Sequence, residues 1–186
     1  MTRLAGALIM VVLLASGCSQ PDARPGPAPT SSAELTIGYG RVGPVKAGMT
    51  EAEALRTGLL RSNAPSPVDG CPPPPLEWRK PFKNDVDVIA YKGRIVSLGV
   101  SGRGPRTSDG IGVGSSLRDV KKAFPGLLGP AEAGYDQAGG WVHSGDRWIG
   151  FLFGAATAGN VKATDKVTFV ELTRDKRKPD LIRDGC

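Results

Sequence analysis

The chain has 186 residues, with 24 Lys and Arg against 18 Asp and Glu, one His and three Cys. A single histidine with so few cysteines speaks against clustered metal ligation, so no metal and no other cofactor is expected. The net charge of +6 is modest, and no aromatic residues interleave with the densest basic run, Arg174-Asp175-Lys176-Arg177-Lys178, so nucleic acid is not an expected partner.

The chain opens with Arg3 and then the apolar run Leu4–Ala15, the n-region and h-region of a secretory signal. Twelve residues of helix reach about 18 Å, well short of the roughly 30 Å hydrocarbon core. Residues 1–17 are therefore expected to be a signal peptide. The segment Leu14-Ala15-Ser16-Gly17-Cys18 resembles the lipobox of bacterial lipoproteins, with Ala15 where Leu is commoner. That resemblance implies a diacylglyceryl group on Cys18 and a lipid-anchored protein at the extracytoplasmic face of the cell membrane, held there by about 0.8 kcal/mol per buried CH2. The other reading is an ordinary cleavable signal. Residues 19–32 contain four prolines and no large apolar residue. With Cys18 as the anchor, residues 18–32 then make an extended tether that spans about 40 Å in polyproline II form.

Residues 33–186 are long enough for one folded domain with a core of its own. Inside it a segment occurs twice: residues 43–54 align without gaps on residues 109–120. In each copy an apolar residue (Val45, Ile111) leads to a glycine able to take positive φ (Gly48, Gly114). Two residues later stands a hydroxyl suited to cap a helix (Thr50, Ser116), with an acid at N3 (Glu53, Asp119). Asp is the shorter reach, so the second box is the weaker one. Short helices should follow, with Ala52, Leu55 and Leu59 on one face of the first and Leu117, Val120 and Phe124 on one face of the second.

Strands are expected over 85–91 and 95–100 around Lys92-Gly93-Arg94, over 140–143 and 148–153 around residues 144–147, and over 166–173. The last should place Val167 and Phe169 (with Glu171) on one side and Thr168, Val170 and Leu172 on the other. The order predicts an α+β fold of two helix-then-antiparallel-meander units, about 36–102 and 103–174, packed as one domain with the helices on one face of the sheet. With Cys18 assigned to lipid, Cys71 and Cys186 remain. In an oxidising compartment these are expected to pair, closing a loop whose bridge stabilises by about 4 to 5 kcal/mol in the chain-entropy model. Two free thiols or an intermolecular bridge are the other outcomes.

Parts for catalysis are few. His143 is the lone histidine and should share a strand face with Trp141. Asp85 and Asp87 alternate with valines, as solubility devices on a strand commonly do. No Gly-x-Ser-x-Gly setting is present, and Gly112-Val113-Gly114-Ser115-Ser116 lacks the Lys of a phosphate-binding loop. No catalytic residue is therefore assigned. The aromatics Trp141, Trp148 and Tyr135 make a candidate binding surface for a glycan, a peptide or a protein.

The pattern Gly48-Met49-Thr50-x-x-Glu53-Ala54, echoed by Gly114-Ser115-Ser116-x-x-Asp119-Val120, resembles the start of the first helix in the small outer-membrane-assembly lipoproteins and the β-lactamase-inhibitor-like domains. The chain is also similar to secreted lipoproteins of high-GC Gram-positive bacteria. The inhibitor resemblance implies helices against an antiparallel sheet, in tandem. The expectation is a non-enzymatic, membrane-anchored module that binds an envelope protein or polymer. A protein inhibitor of a secreted enzyme is the alternative, and a hydrolase drawing together some of His143, Asp85 and Asp87 is a third reading.

Overall fold

The computed structural model describes residues 29–63, 74–154 and 157–182. The signal segment, Cys18 with most of the tether, Cys71 and Cys186 lie outside the described residues. Three short strands, β1 (Ile37–Gly38), β2 (Arg41–Val42) and β3 (Val45–Lys46), form a small antiparallel meander ahead of helix α1 (Glu51–Arg56). A two-stranded ladder follows, β4 (Leu60–Ser62) with β5 (Leu76–Trp78). The main sheet takes β6 (Val86–Tyr91) and β7 (Arg94–Val100). After helix α2 (Leu117–Ala123) it takes β8 (Leu128–Ala133), β9 (Gln137–Ser144), β10 (Arg147–Phe153) and β11 (Val167–Arg174). Its order is β6-β7-β11-β10-β9-β8, antiparallel throughout.

This architecture corrects the expected α+β repeat of helix-then-meander units. The chain is mostly β, with helices of only six and seven residues beside a six-stranded sheet. Helices this short cannot stand without packing, and far more of the apolar sequence is spent on strands. Nor do the two halves follow one plan. The first copy leads into a separate two-stranded ladder and then one hairpin; the second leads into the β8-β9-β10 meander and then β11. What repeats is the turn and cap. Gly48 and Gly114 have φ of 89° and 91°. The Gly48 N–H donates to the Ile95 carbonyl and the Ile95 N–H to the Met49 carbonyl, at 2.7 and 2.8 Å. Gly114 with Val167, and Val167 with Ser115, make the same exchange at 2.8 Å each. Both capping boxes close, the Thr50 N–H reaching Glu53 at 2.8 Å and the Ser116 N–H reaching the shorter Asp119 at 3.1 Å. Because β7 and β11 are antiparallel neighbours, the two copies dock at opposite ends of the central strand pair.

The hairpin between β6 and β7 turns on Lys92 and Gly93, with φ of 49° and 76°, the two positive values that a tight primed turn requires. The two faces of the sheet are covered by different material. The inner face holds the larger core, with Val88, Leu98, Phe151 and Leu172 packed against Val42, Val45 and Trp78 from the small ladders. The helices add Ala54 from α1 and Leu117 with Val120 from α2; Ala52, expected on the packed face of the first helix, is exposed. The opposite face carries a second cluster of Trp141, Trp148, Leu152, Phe169 and Leu181. Leu181 belongs to no strand. It arrives from residues 175–182, which leave β11 and fold back across the sheet as a strap. A bulge between Leu152 and Phe153 in the β10–β11 pairing lets Phe169 face the strap while Val167 and Val170 both enter the inner core.

Candidate functional site

Residues directly opposite one another in paired strands share a face, so the ladder register reads out the strap face row by row. One row runs His143, Trp148, Thr173, Ser97, Ile89 across five strands. The next runs Trp141, Gly150, Glu171, Gly99, Asp87. Gly150 in that second row and Gly139, opposite Leu152 in the row beyond it, leave a trough beside Glu171. A Cβ on Gly150 would lie 2.8 Å from Leu181 Cδ2, and one on Gly139 would lie 2.6 Å from Leu181 Cδ1, so the Leu181 side chain occupies the volume that these glycines vacate.

Polar bonds hold the strap down. Trp148 Nε1 donates to the Asp175 carbonyl at 2.9 Å and Trp141 Nε1 to the Pro179 carbonyl at 2.8 Å. The Gly134 N–H donates to the Asp180 carbonyl at 2.9 Å, and the Leu181 N–H to Glu171 Oε2 at 2.8 Å. Lys178 Nζ sits 3.4 Å from the centroid of the Trp141 ring, a cation over the negative face of the indole. Glu171 also accepts from the Ser97 hydroxyl at 2.8 Å.

Burial pushes the Glu171 carboxyl above the usual range; the bonds from Ser97 and Leu181 oppose that rise, and the nearby Asp180 adds to it. A raised acid in the native state means that the folded chain holds more protons than the unfolded one between the two values, so stability falls as pH rises through that window. Glu171→Gln removes the charge and keeps an acceptor for Leu181. Melting curves are expected to show this variant above the parent at neutral and alkaline pH and level with it below about pH 4, where the glutamate is itself neutral. A variant that melts lower than the parent at neutral and alkaline pH but level with it below about pH 4 would show that the charge itself holds the strap.

The strap covers β9, β10 and β11 and stops short of β6 and β7. Between its edge and these strands lies a cleft of about 610 Å³. Ile89, Val96 and, from the strap, Ile182 give it an apolar lining, at 50%, 41% and 42% exposure. Val96 is pushed outward because the β6–β7 register shifts between Ile89 and Ala90, leaving one extra residue on β7. Arg94, Arg177 and Lys178 supply cations to the same cleft. Arg174, also in it, is engaged by Asp146 at 2.7 Å. Thr173 lines the cleft, and its hydroxyl is buried without a hydrogen-bond partner among the described residues.

Of the aromatics expected to form a binding surface, Trp141 and Trp148 are 1% and 9% exposed and lie beneath the strap. They are not an open surface, because the C-terminal segment supplies the cover that the hairpin alone lacks. Tyr135 is 68% exposed, at a left-handed backbone position with φ of 57°. His143 is exposed, with its ring 4.6 Å from that of Trp148. It stands four strands from Asp87, about 19 Å at the usual strand spacing, and Asp85 ends the turn before β6, so His143 is not drawn together with either acid. Among the described residues no group of three or more His, Cys, Asp or Glu could hold a metal ion, and no helix is long and apolar enough to cross a membrane.

The cleft residues Ile89, Val96, Thr173 and Ile182 escaped the sequence reading. Glu171 left one signal there, an acid at an inward position of an otherwise apolar alternation. No family model matches the chain, and no curated protein matches it. Among solved structures it is similar to the crystal structure of the uncharacterized protein yfeY from Escherichia coli, at 17% identity and a TM-score of 0.46, over 75% of this chain and 99% of that one, a likeness too distant to carry a fold or a role across.

Proposed function

We propose that this chain is a lipid-anchored extracytoplasmic module that binds an envelope protein in the cleft between the strap and the β6–β7 hairpin. The observation that carries this reading is the half-covered sheet face, where Ile89, Val96 and Ile182 stay exposed in one cleft although Trp141, Trp148, Leu152 and Phe169 on that face are buried. Contiguous exposed apolar residues rimmed by polar groups mark interaction surfaces. The rim cations and the net charge of +6 suit a partner segment that is apolar with flanking acids. The buried Thr173 hydroxyl holds a donor and an acceptor that no described residue uses. In this reading Cys18 and the Pro-rich residues after it hold the domain at the membrane surface and leave the cleft free.

The test pairs Ile89→Asp with Val96→Asp in the full chain and measures recovery of a defined, cross-linked partner from native membranes. Both positions are exposed, so melting should be unchanged, while the double variant is expected to lose at least tenfold in recovery, the size typical of truncating interface anchors. Equal recovery by parent and variant would remove the cleft from the reading. Cys18→Ser, read by acyl-chain labelling and membrane fractionation, examines the anchor separately; a chain that stays in the membrane fraction without Cys18 would overturn that half.

A further inference from the structure

A second cleft, away from the strap face, is built from the β4–β5 ladder and the turn after it. Its volume is about 310 Å³ and its lining among the described residues is Arg61, Trp78, Arg79, Lys80 and Lys83, four cations around one indole with no acid among these five. Local geometry converges them. Leu60 pairs with Trp78 and Arg61 with Glu77 across the ladder. The Arg79 N–H donates to the Leu59 carbonyl and the Phe82 N–H to the Arg79 carbonyl, both at 2.8 Å, so the chain curls directly after β5. The turn Phe82–Asn84 then brings Lys83 back to the cleft. Arg61 is held by Glu77, and Arg79 spends its Nε on the Leu60 carbonyl at 3.2 Å, which leaves its two terminal nitrogens. Lys80 and Lys83 make no ion pair among the described residues.

The indole supplies the second observation. Trp78 is 1% exposed and packs edge-on against Phe82 at 6.1 Å. Its Nε1–H is buried and has no hydrogen-bond partner among the described residues, whereas Trp141 and Trp148 each donate to a carbonyl. An indole N–H is a donor only, so what it lacks is an acceptor. We infer that this cleft binds a phosphate-class oxyanion: the group that satisfies a donor-only indole together with three unopposed cations is an anion with several acceptor oxygens. The same chemistry is carried by free phosphate and by the headgroup of an anionic phospholipid.

The experiment uses the full chain with Cys18→Ser, so that no acyl group contributes to membrane binding. Inorganic phosphate is titrated at constant ionic strength while the three indole N–H resonances are followed, and sedimentation with phosphatidylglycerol–phosphatidylcholine vesicles is run in parallel against vesicles of phosphatidylcholine alone. The expected result is saturable binding in at least one arm, with the Trp78 resonance moving and those of Trp141 and Trp148 still. Binding should weaken at least tenfold in Lys80→Ala/Lys83→Ala and severalfold in Trp78→Phe, which keeps every charge. Saturation with phosphate assigns a soluble ligand; binding to the anionic vesicles alone assigns a headgroup. The control Arg103→Ala/Lys166→Ala, in another basic cleft, should bind as the parent does. A still Trp78 resonance, no binding in either arm, or equal losses in the control would overturn the assignment.

Discussion

Leu181→Ala is expected to lower the unfolding free energy by about 2 to 5 kcal/mol, the range for deleting a buried leucine side chain without full collapse of the cavity. Leu181 is 1% exposed and fills the trough opened by Gly139 and Gly150. Little can relax into its place, because sheet backbone forms the floor and Trp141 forms a wall. The residue also sits at φ of 58°, where a side chain costs roughly 1 to 2 kcal/mol. Leu181→Gly, which loses the same contacts and sheds that strain, should therefore fall short of the alanine variant's loss by about 1 kcal/mol. Urea unfolding followed by tryptophan emission measures both. A loss below about 0.5 kcal/mol, the range of ordinary surface substitutions, would mean that the strap is an appendage and not part of the fold.

Gly150→Val reverses what local propensity suggests. Valine is among the better strand formers and glycine among the worse, so at the level of β10 alone the change should stabilise. The tertiary contacts predict the opposite. The new Cβ would stand 2.8 Å from Leu181, 3.0 Å from Pro179 and 3.2 Å from Trp141, and overpacking of this kind costs about 1 to 3 kcal/mol. The cheapest relief is to lift the strap, since the sheet below it is held by ladders on both sides. Hydrogen exchange should then show the amides of Leu181 and Gly134, whose acceptors lie across the strap contact, losing protection while inner strands such as β7 and β11 keep theirs. Retained protection at Leu181 would place the strain elsewhere.

The parts of this fold that can be read from neighbours in sequence were legible. The β6–β7 hairpin falls within a residue of its expected bounds, because Lys92-Gly93 between alternating apolar runs leaves few other conformations. Both glycine turns and both caps are present as expected, since a capping box involves only four consecutive residues. The strand over 166–173 is β11 to within one residue. Strand β8 was not legible: Leu128-Gly129-Pro130-Ala131 has no alternation and carries a proline, which a sheet tolerates at an edge, and an edge is where β8 lies. The short ladders β1–β3 and β4–β5 escaped for a different reason. At two or three residues per strand they have no period to detect.

The cleft was harder still to read. Ile89 and Val96 look like ordinary strand residues, and their exposure depends on how far a segment some eighty residues later extends over the sheet. Arg174–Lys178 reads as a solvated run, yet Lys178 lies on Trp141 and Pro179 and Leu181 after it are buried. Contacts of this kind follow from loop closure over long separations, which no window of sequence samples. By itself, then, the sequence determined the turns, caps and alternating strands, where each choice is settled by steric preference and hydrogen bonding within a few residues. The tertiary structure alone decided the strand order, the mostly β balance, the burial of Trp141 and Trp148 under the C-terminal strap and the cleft at its edge, because each is the outcome of distant segments competing to cover the same apolar surface.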